Sequence, residues 1–572
     1  MAGAMADGGT VGAFVRRRPR VVLLLICLIA WLPGFFTIPP LDRDESRFAQ
    51  ASKQMLETGN FIDIRFANEP RYKKPVGIYW LQSASTEVAG LVTGDTTHDQ
   101  IWTYRIPSLI CAAAAVLLCF WCASAFLSVD GAFVAALLLG LTLLLSAEAK
   151  IAKTDAALLA TVIGMQAVLL RGYLAGAGDG PPLERWTAWA GWLALGLGIL
   201  IKGPVILGVA AVTLIALLAW DRQWRWLGSL RPASGIALML AVVLPWLIAI
   251  AVQSHGAFYA QSLGHDFGAK VIHGEESHGE PPGYYLLMTI LTLWPATLFL
   301  IPGVAFAIVN RARPAMRFLI AWAGASWLMF ELVPTKLPHY ILPAYPALAM
   351  MMAAFLAAPR GSSALWRKAL PALSSLHFAL GAGLLAAGLI LLPDYYGNGA
   401  PPALLAATGL GALLALIAVL SMLFGAMARA VWSATMSALV FYAALTMGAM
   451  PLLTKIWVSP RLAEMVRAHA AAGDPPPVLA GYTEPSALFL LGTQTRLAVN
   501  GRGAAEFAAA QGGLSAIERG QQPAFLQTLM QLDATATPVD SLDGFNYSRG
   551  RPVHITLFRV TAARQTSERP QE

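Results

Sequence analysis

The sequence predicts a mainly α-helical, polytopic membrane protein with about thirteen transmembrane helices and a small α/β domain on the outer face. Three observations lead there. Of 572 residues, 57% are hydrophobic and 13% charged, and the mean hydropathy is +0.60; a soluble protein of this size cannot cover so much apolar surface with polar groups. Apolar runs such as 21–36, 109–126 and 378–392 approach or match the roughly 20 residues that cross a bilayer core. Most of the Lys and Arg residues sit in short connectors between such runs.

Taken in order, the predicted spans lie near 19–38, 104–126, 131–147, 155–172, 186–201, 204–220, 234–254, 284–309, 318–334, 340–358, 369–392, 401–425 and 431–450. The first follows Arg16, Arg17, Arg18 and Arg20 like a signal peptide. Its apolar run continues through Trp31 and Phe36 without a small-residue cleavage site, so it reads as an uncleaved helix with its basic end in the cytoplasm. Counting from there, the connectors that fall inside carry Arg171 and Arg185, then Arg222, Arg225 and Arg231, then Arg311, Arg313 and Arg317, then Arg360, Arg367 and Lys368. They are short and positive, as the positive-inside rule asks. Topology therefore explains the net charge of +8, and a nucleic-acid partner is rejected. The four cysteines, Cys27, Cys111, Cys119 and Cys122, all lie in apolar segments, where packing is the expected role.

An odd number of crossings places the chain from about 451 outside. Pro475-Pro476-Pro477 marks a change of composition. Strand-like runs at 478–481, 496–499 and 553–560 then alternate with helical stretches at 484–491, 504–511 and 523–532, the pattern of a small α/β domain. The polar tail, 561–572, reads as disordered.

The connectors predicted to face outward hold a different set of charges. The first, 39–101, contains Asp42, Arg43, Asp44, Glu45 and Arg47, then Arg71, Lys73 and Lys74. The second carries Glu148, Lys150, Lys153 and Asp155; the third is Lys202-Gly203-Pro204. The fourth, 255–283, holds His265, Asp266, Lys270, His273, Glu275, Glu276, His278 and Glu280, and the fifth contains Lys336 and His339. Lys202 and Lys336 sit in very short turns and Asp155 opens an apolar helix, positions where an uncompensated charge at the bilayer edge is costly. The set predicts one polar cavity at the outer interface. Residues 45–57, ending at Gly59, read as an amphipathic helix lying along the membrane surface, with Ile78, Tyr79 and Trp80 as interfacial residues beside it.

Carboxylates beside several lysines at a lipid interface suit a substrate with a lipid tail and an anionic head. Lys and Arg neutralise a phosphate and stabilise it as a leaving group, and a nearby carboxylate takes a proton from an attacking hydroxyl. Together these parts run sugar transfer from a polyprenyl-phosphate donor. Asp42-Arg43-Asp44 matches the DxD of nucleotide-sugar transferases only formally: it follows a membrane helix, and a nucleotide sugar is cytoplasmic. No nucleotide is inferred. The histidines His255, His265, His273 and His278 fit no metal-ligand spacing, and no metal or other cofactor is expected. Two other classes compete, a transporter or flippase of lipid-linked sugars and a scaffold for envelope assembly. Transporters place polar groups near the bilayer midplane, often in paired halves, whereas these charges crowd one side, and a scaffold leaves their convergence unexplained.

At this point several motifs resemble one family. Arg43-Asp44-Glu45-Ser46-Arg47-Phe48-Ala49, Tyr72-Lys73-Lys74-Pro75 with Tyr79-Trp80, Lys153-Thr154-Asp155 and Lys336-Leu337-Pro338-His339-Tyr340-Ile341-Leu342-Pro343 look like the GT-C glycosyltransferases of the aminoarabinose–lipid A transferase type, relatives of the protein O-mannosyltransferases. The outer segments 481–486 and 545–550 resemble the family's outer-domain motifs, so the likeness spans nearly the whole chain. The resemblance implies a GT-C fold, an undecaprenyl- or polyprenyl-phosphate sugar donor, transfer on the periplasmic side of a bacterial inner membrane, and an acceptor that is lipid A or another envelope glycan or protein. Residues 1–450 would form the transmembrane catalytic domain, with periplasmic loops 39–101 and 255–283, and 451–572 the periplasmic domain. Asp44 would be the principal carboxylate with Asp155 as its partner. Lys74, Arg47, Lys202 and Lys270 would face the donor phosphate, and Glu45, Tyr72, Lys73, His265, Glu280, Lys336, His339 and Tyr340 would contact substrate. Lys73 departs from the pattern, because relatives often carry an acid there; the departure implies a neutral or acidic sugar.

Overall fold

A computed structural model describes residues 17–262, 280–358 and 365–562. Arg16, Arg360, His265, Lys270 and the tail from 563 lie outside the described residues. Each of the thirteen apolar segments is helical over most of its length. Among the described residues, seven helices are long and apolar enough to cross a membrane: Ile101–Ala123, Asp155–Ala177, Pro232–Gln253, Pro338–Ala357, Leu370–Tyr396, Pro402–Leu423 and Met427–Leu452. Shorter apolar helices, Pro19–Trp31, Val129–Gly140, Val205–Asp221 and Thr297–Val309, stand among them. The chain is a multi-pass membrane protein.

Burial sorts these helices. Asp155–Ala177 buries 78% of its most apolar stretch inside the protein, against 22% for Pro232–Gln253 and 28% for both Leu370–Tyr396 and Pro402–Leu423. The first is central, whereas the others turn side chains such as Leu376, Leu380 and Leu384 outward, as a lipid solvent permits. Two expected spans are broken. The segment near 131–147 divides into Val129–Gly140 and Leu143–Glu148, with the Thr142 hydroxyl capping the second piece. The segment near 284–309 divides into Tyr284–Thr292 and Thr297–Val309.

The bundle has two chemically distinct ends. Helices Val205–Asp221 and Pro314–Leu332 meet at one end, where Arg317 pairs with Asp221 and Tyr173 donates to the same carboxylate. Lys202, Asp155 and Thr335 mark the opposite end of these helices. The basic connectors gather at the first end and the mixed acids and bases at the second.

The helix expected at 45–57 runs Asp44–Thr58 and stops at Gly59, whose φ of 68° suits the residue that closes a helix. It does not lie bare on a membrane surface. Its polar face is covered: Gln50 donates to the Thr493 hydroxyl at 2.7 Å, Ser52 to Gln82 at 2.7 Å and Gln54 to the Ala67 carbonyl at 2.8 Å, while Lys53 pairs with Asp99. Amphipathic spacing alone cannot distinguish a face turned to water from one turned to a polar protein surface, and here the rest of the first loop, with Thr493 of the outer segment, supplies that surface.

Beyond Leu452 the chain forms a sheet flanked by helices. A two-residue hairpin in the first loop pairs β1 (Arg65–Phe66) with β2 (Glu69–Pro70). The outer strands are β3 (Val478–Ala480), β4 (Arg496–Ala498), β5 (Gly513–Glu518), β6 (Thr535–Asn546) and β7 (Arg551–Thr561), in the order β4-β3-β5-β7-β6. β3 runs parallel to β4 and β5, and β7 runs antiparallel to β5 and β6. One core packs Leu462 and Val466 against Leu479 and Leu557; the other packs Ala504, Ala508 and Phe525 against Ile517 and Phe558.

Candidate active site

A cleft opens at the acid- and base-rich end, lined by Asp44, Arg47, Phe48, Arg71, Lys73, Lys74, Lys153, Thr154, Asp155, Lys202, Thr335, Leu337, His339 and Tyr340. Five separate stretches of sequence supply it. Asp44, Arg47 and Phe48 share it because positions i, i+3 and i+4 lie on one helix face; Glu45 is rotated about 100° away from them. Asp155 is the first residue of its helix, where the positive end of the helix dipole favours a carboxylate. Lys202 ends the helix Arg185–Lys202, and Gly203, at φ 66°, turns the chain there. The segment carrying Lys73 and Lys74 reaches this turn because Gly77 lets two helices touch: a Cβ there would stand 2.8 Å from the Leu200 carbonyl oxygen.

Alternating charges knit the cleft. Lys202 Nζ donates to Asp155 Oδ1 at 2.6 Å and lies over the Tyr340 ring at 5.3 Å. Lys153 Nζ stands 3.1 Å from Glu148 Oε1 and 3.6 Å from Asp155 Oδ2, and His339 Nε2 lies 3.9 Å from Asp155 Oδ1. Arg71 stacks over Phe48 at 5.3 Å. Burial pushes the Asp44 carboxyl upward, but Lys153, His339, Arg71 and Arg47 outweigh it and hold the group below its ordinary range, so Asp44 is ionised. Lys153 shows the converse: burial pulls it down, and Glu148, Asp155 and Asp44 more than restore its charge.

The cleft brings together Asp44, Asp155, Arg47, Lys74, Lys202, Lys73, His339 and Tyr340 among the residues singled out from the sequence. Four others stand elsewhere. Glu45 is 1% exposed and forms a buried bidentate pair with Arg105, at 2.7 and 2.9 Å. Tyr72 is buried, donates to Asp63 at 2.7 Å and packs its ring on Phe258. Lys336 is buried and donates to the Glu280 carbonyl at 2.7 Å, so both residues hold the rim of the outer loop together. Sequence reasoning placed Lys153 and Arg71 among the outer charges without assigning them to the site. For Lys153 the missed signal is its spacing, two residues before the helix-opening Asp155. Asp42 and Asp44 point apart: Ser486 and Tyr547 of the outer domain hold Asp42, while Asp44 faces the cleft. They are no chelating pair.

The family model described as dolichyl-phosphate-mannose-protein mannosyltransferase matches residues 73–248. An undecaprenyl phosphate-alpha-4-amino-4-deoxy-L-arabinose arabinosyl transferase of Edwardsiella ictaluri is 29% identical over 395 residues, covering 66% of each chain. A protein of that description from Pseudomonas fluorescens is 27% identical over 332 residues, covering 58% of each. The match thus spans just under two thirds of these relatives at most. In fold the likeness is longer. The crystal structure of ArnT from Cupriavidus metallidurans bound to undecaprenyl phosphate superposes with a TM-score of 0.73 at 18% identity, over 94% of this chain and 97% of that one. The archaeal oligosaccharyltransferase AglB of Archaeoglobus fulgidus superposes at 0.50, with 11% identity, over 92% of this chain and 70% of that one. The chain is a membrane protein of the GT-C fold. Within that fold its sequence is similar to those of the aminoarabinose transferases, as the motif resemblance implied.

Proposed function

We propose that this protein is a glycosyltransferase that moves a sugar from a polyprenyl phosphate, in the manner of undecaprenyl phosphate, to lipid A or another envelope glycolipid at the outer face of the inner membrane. The observation that carries the reading is the cleft itself, where two ionisable carboxylates stand among lysines and arginines from five stretches at one end of the bundle. The basic connectors lie at the other end, so the positive-inside rule puts the cleft on the periplasmic side. In the reaction the acceptor oxygen attacks the anomeric carbon, the bond from that carbon to the phosphate oxygen breaks, and polyprenyl phosphate leaves with the bonding pair. Lys74, Arg47 and Lys202 stabilise the phosphate. For a hydroxyl acceptor, ionised Asp44 takes the proton; for an already ionised phosphate acceptor it orients the reactants. Asp155 holds Lys202 and His339 in place. The positive charge comes from side chains, so the reading needs no metal, and a chelator leaves the rate unchanged.

The mannosyltransferase family match favours a protein hydroxyl as the alternative acceptor, and Lys73 in the cleft favours a neutral or acidic sugar. Reconstituted protein supplied with radiolabelled polyprenyl-phosphate sugars and a membrane extract tests the proposal. Transfer should fall by at least two orders of magnitude in Asp44→Asn and in Lys74→Ala. Transfer that survives both changes rejects these roles, and passage of intact donor across vesicles without transfer identifies a transporter instead.

A further inference from the structure

Lys150 is 7% exposed and lines a second cavity of about 110 Å³, apart from the cleft. Its walls are apolar, chiefly Ile38, Leu41, Leu143, Ile151, Leu445 and Met450. The polar groups of the wall are already engaged. Tyr442 OH donates to the Leu141 carbonyl at 2.7 Å, Thr446 to the Tyr442 carbonyl at 2.8 Å, and Arg105 is taken up by Glu45 and three backbone carbonyls. Lys150 Nζ has no hydrogen-bond or ion-pair partner among the described residues. Burial draws it down to about 8, and no neighbouring charge contributes to that shift, so most of the population still carries the charge at neutral pH. The contrast with Lys153 and Lys202 is sharp, since both pair with Asp155 only a few residues away.

A lysine whose side chain is largely buried at a bilayer edge, in a mostly apolar wall and without a counter-ion, is costly to keep. A lysine at that depth ordinarily extends to water. A ligand that brings an anion and covers the apolar wall offsets both costs, and the cavity is several times the space one water needs. We propose that the Lys150 cavity is a second lipid site, which takes a phosphate headgroup on Lys150 and the start of its hydrocarbon chain along the Leu143, Leu445 and Met450 wall. Arg105 of the buried Glu45–Arg105 pair is part of this cavity's own wall, and the cavity and the cleft have no lining residue in common, so the two phosphates do not share one pocket. The site stands on Lys150 and its walls and not on the transferase reading; joined to that reading, it gives the second lipid substrate an anchor of its own.

The test is amine labelling of the intact, delipidated protein in a neutral detergent, with modification at Lys150 read by peptide mass spectrometry. Dodecyl phosphate should slow labelling of Lys150 at least fivefold, whereas dodecanol and inorganic phosphate should not. Native mass spectrometry should show one bound dodecyl phosphate lost in Lys150→Met, whose apolar side chain suits the wall, and kept in Lys150→Arg. Lys74→Ala should leave the protection at Lys150 intact, which separates this site from the cleft. Equal protection by inorganic phosphate would reduce the site to an anion pocket, and equal protection by dodecanol to an apolar one; either result overturns the proposal. So does an unchanged bound count in Lys150→Met.

Discussion

Glu45 and Asp44 are neighbours with opposite tasks, and replacing them separately gives a sharp test. Glu45 accepts four hydrogen bonds, from the Leu41 and Ala152 amides and twice from Arg105. Arg105, 1% exposed, also donates to the carbonyls of Phe35, Ile38 and Pro39. The pair therefore ties the turn after the first helix, the start of the helix Asp44–Thr58 and the connector before Asp155 into one piece. Truncation in Glu45→Ala leaves a buried guanidinium without its anion, which costs about 3–5 kcal/mol, and strands two amides at about 1–3 kcal/mol each if they stay dry. These terms overlap, so a loss on the order of 4 kcal/mol is expected. Thermal unfolding followed by tryptophan fluorescence should show a drop of several degrees in Tm, whereas Asp44→Asn should keep its Tm and lose transfer. Arg105→Met should also destabilise, and the double variant should be less unstable than the sum of the two by about 1–3 kcal/mol, the coupling expected of residues in contact. An unchanged Tm for Glu45→Ala, or strictly additive losses, would refute a structural role and return Glu45 to the substrate.

Three further outcomes follow from the same contacts. Burial, helped by the charge of Glu484 and opposed by the Ser486 hydrogen bond, raises Asp42 from 3.8 to about 6. The docked state therefore keeps a proton that a freed Asp42 has lost, and this contribution is full below pH 4 and gone above pH 6. Melting temperature measured across that window should decline with rising pH in the parent and stay flatter in Asp42→Asn, whose amide oxygen still accepts from Ser486. Lys153→Met removes the strongest opposing charge beside Asp44, so the Asp44 carboxyl rises and the acid limb of the pH–rate profile moves to higher pH; an unmoved limb separates Lys153 from Asp44. Gly77→Ala drives a methyl to 2.8 Å from the Leu200 carbonyl, a clash costing about 1–3 kcal/mol, and should raise KM for the donor by parting Lys74 from Lys202.

The sequence carried much of the site because short connectors leave charges few places to go. Lys202 precedes a glycine turn and Asp155 opens an apolar helix, so each had to lie at a helix end. Glu45 and Arg105 were harder. One arginine within the apolar run 101–123 announces a buried partner, but nothing in the spacing says that Glu45, sixty residues earlier, is that partner. In the outer domain β3, β4 and β7 were legible, whereas β5 and β6 were not. β5 is buried on both faces and shows no alternation. β6 is an edge strand carrying Pro538, Asp540 and Gly544, with an irregularity between Pro538 and Asp540, which are marks of a loop to any pattern reading.

The segment from Asp42 to Glu45 shows how one turn serves three parts of the molecule. Asp42 faces the outer domain through Ser486 and Tyr547, and Arg43 donates to the Ser548 carbonyl at 2.6 Å. Asp44 enters the cleft and Glu45 enters the bundle core. Four consecutive side chains fan out this way because Arg43 holds a φ of 67°, a strained conformation for a residue with a Cβ, worth about 1–3 kcal/mol. Such strain persists only where contacts on both sides fix it. The outer domain fixes it from one side, through the 481–486 and 545–550 segments, and Arg105 fixes it from the other. The outer domain is thus joined to the backbone that aims Asp44, and a change at Tyr547 or Ser486 reaches the cleft through that turn without touching a substrate.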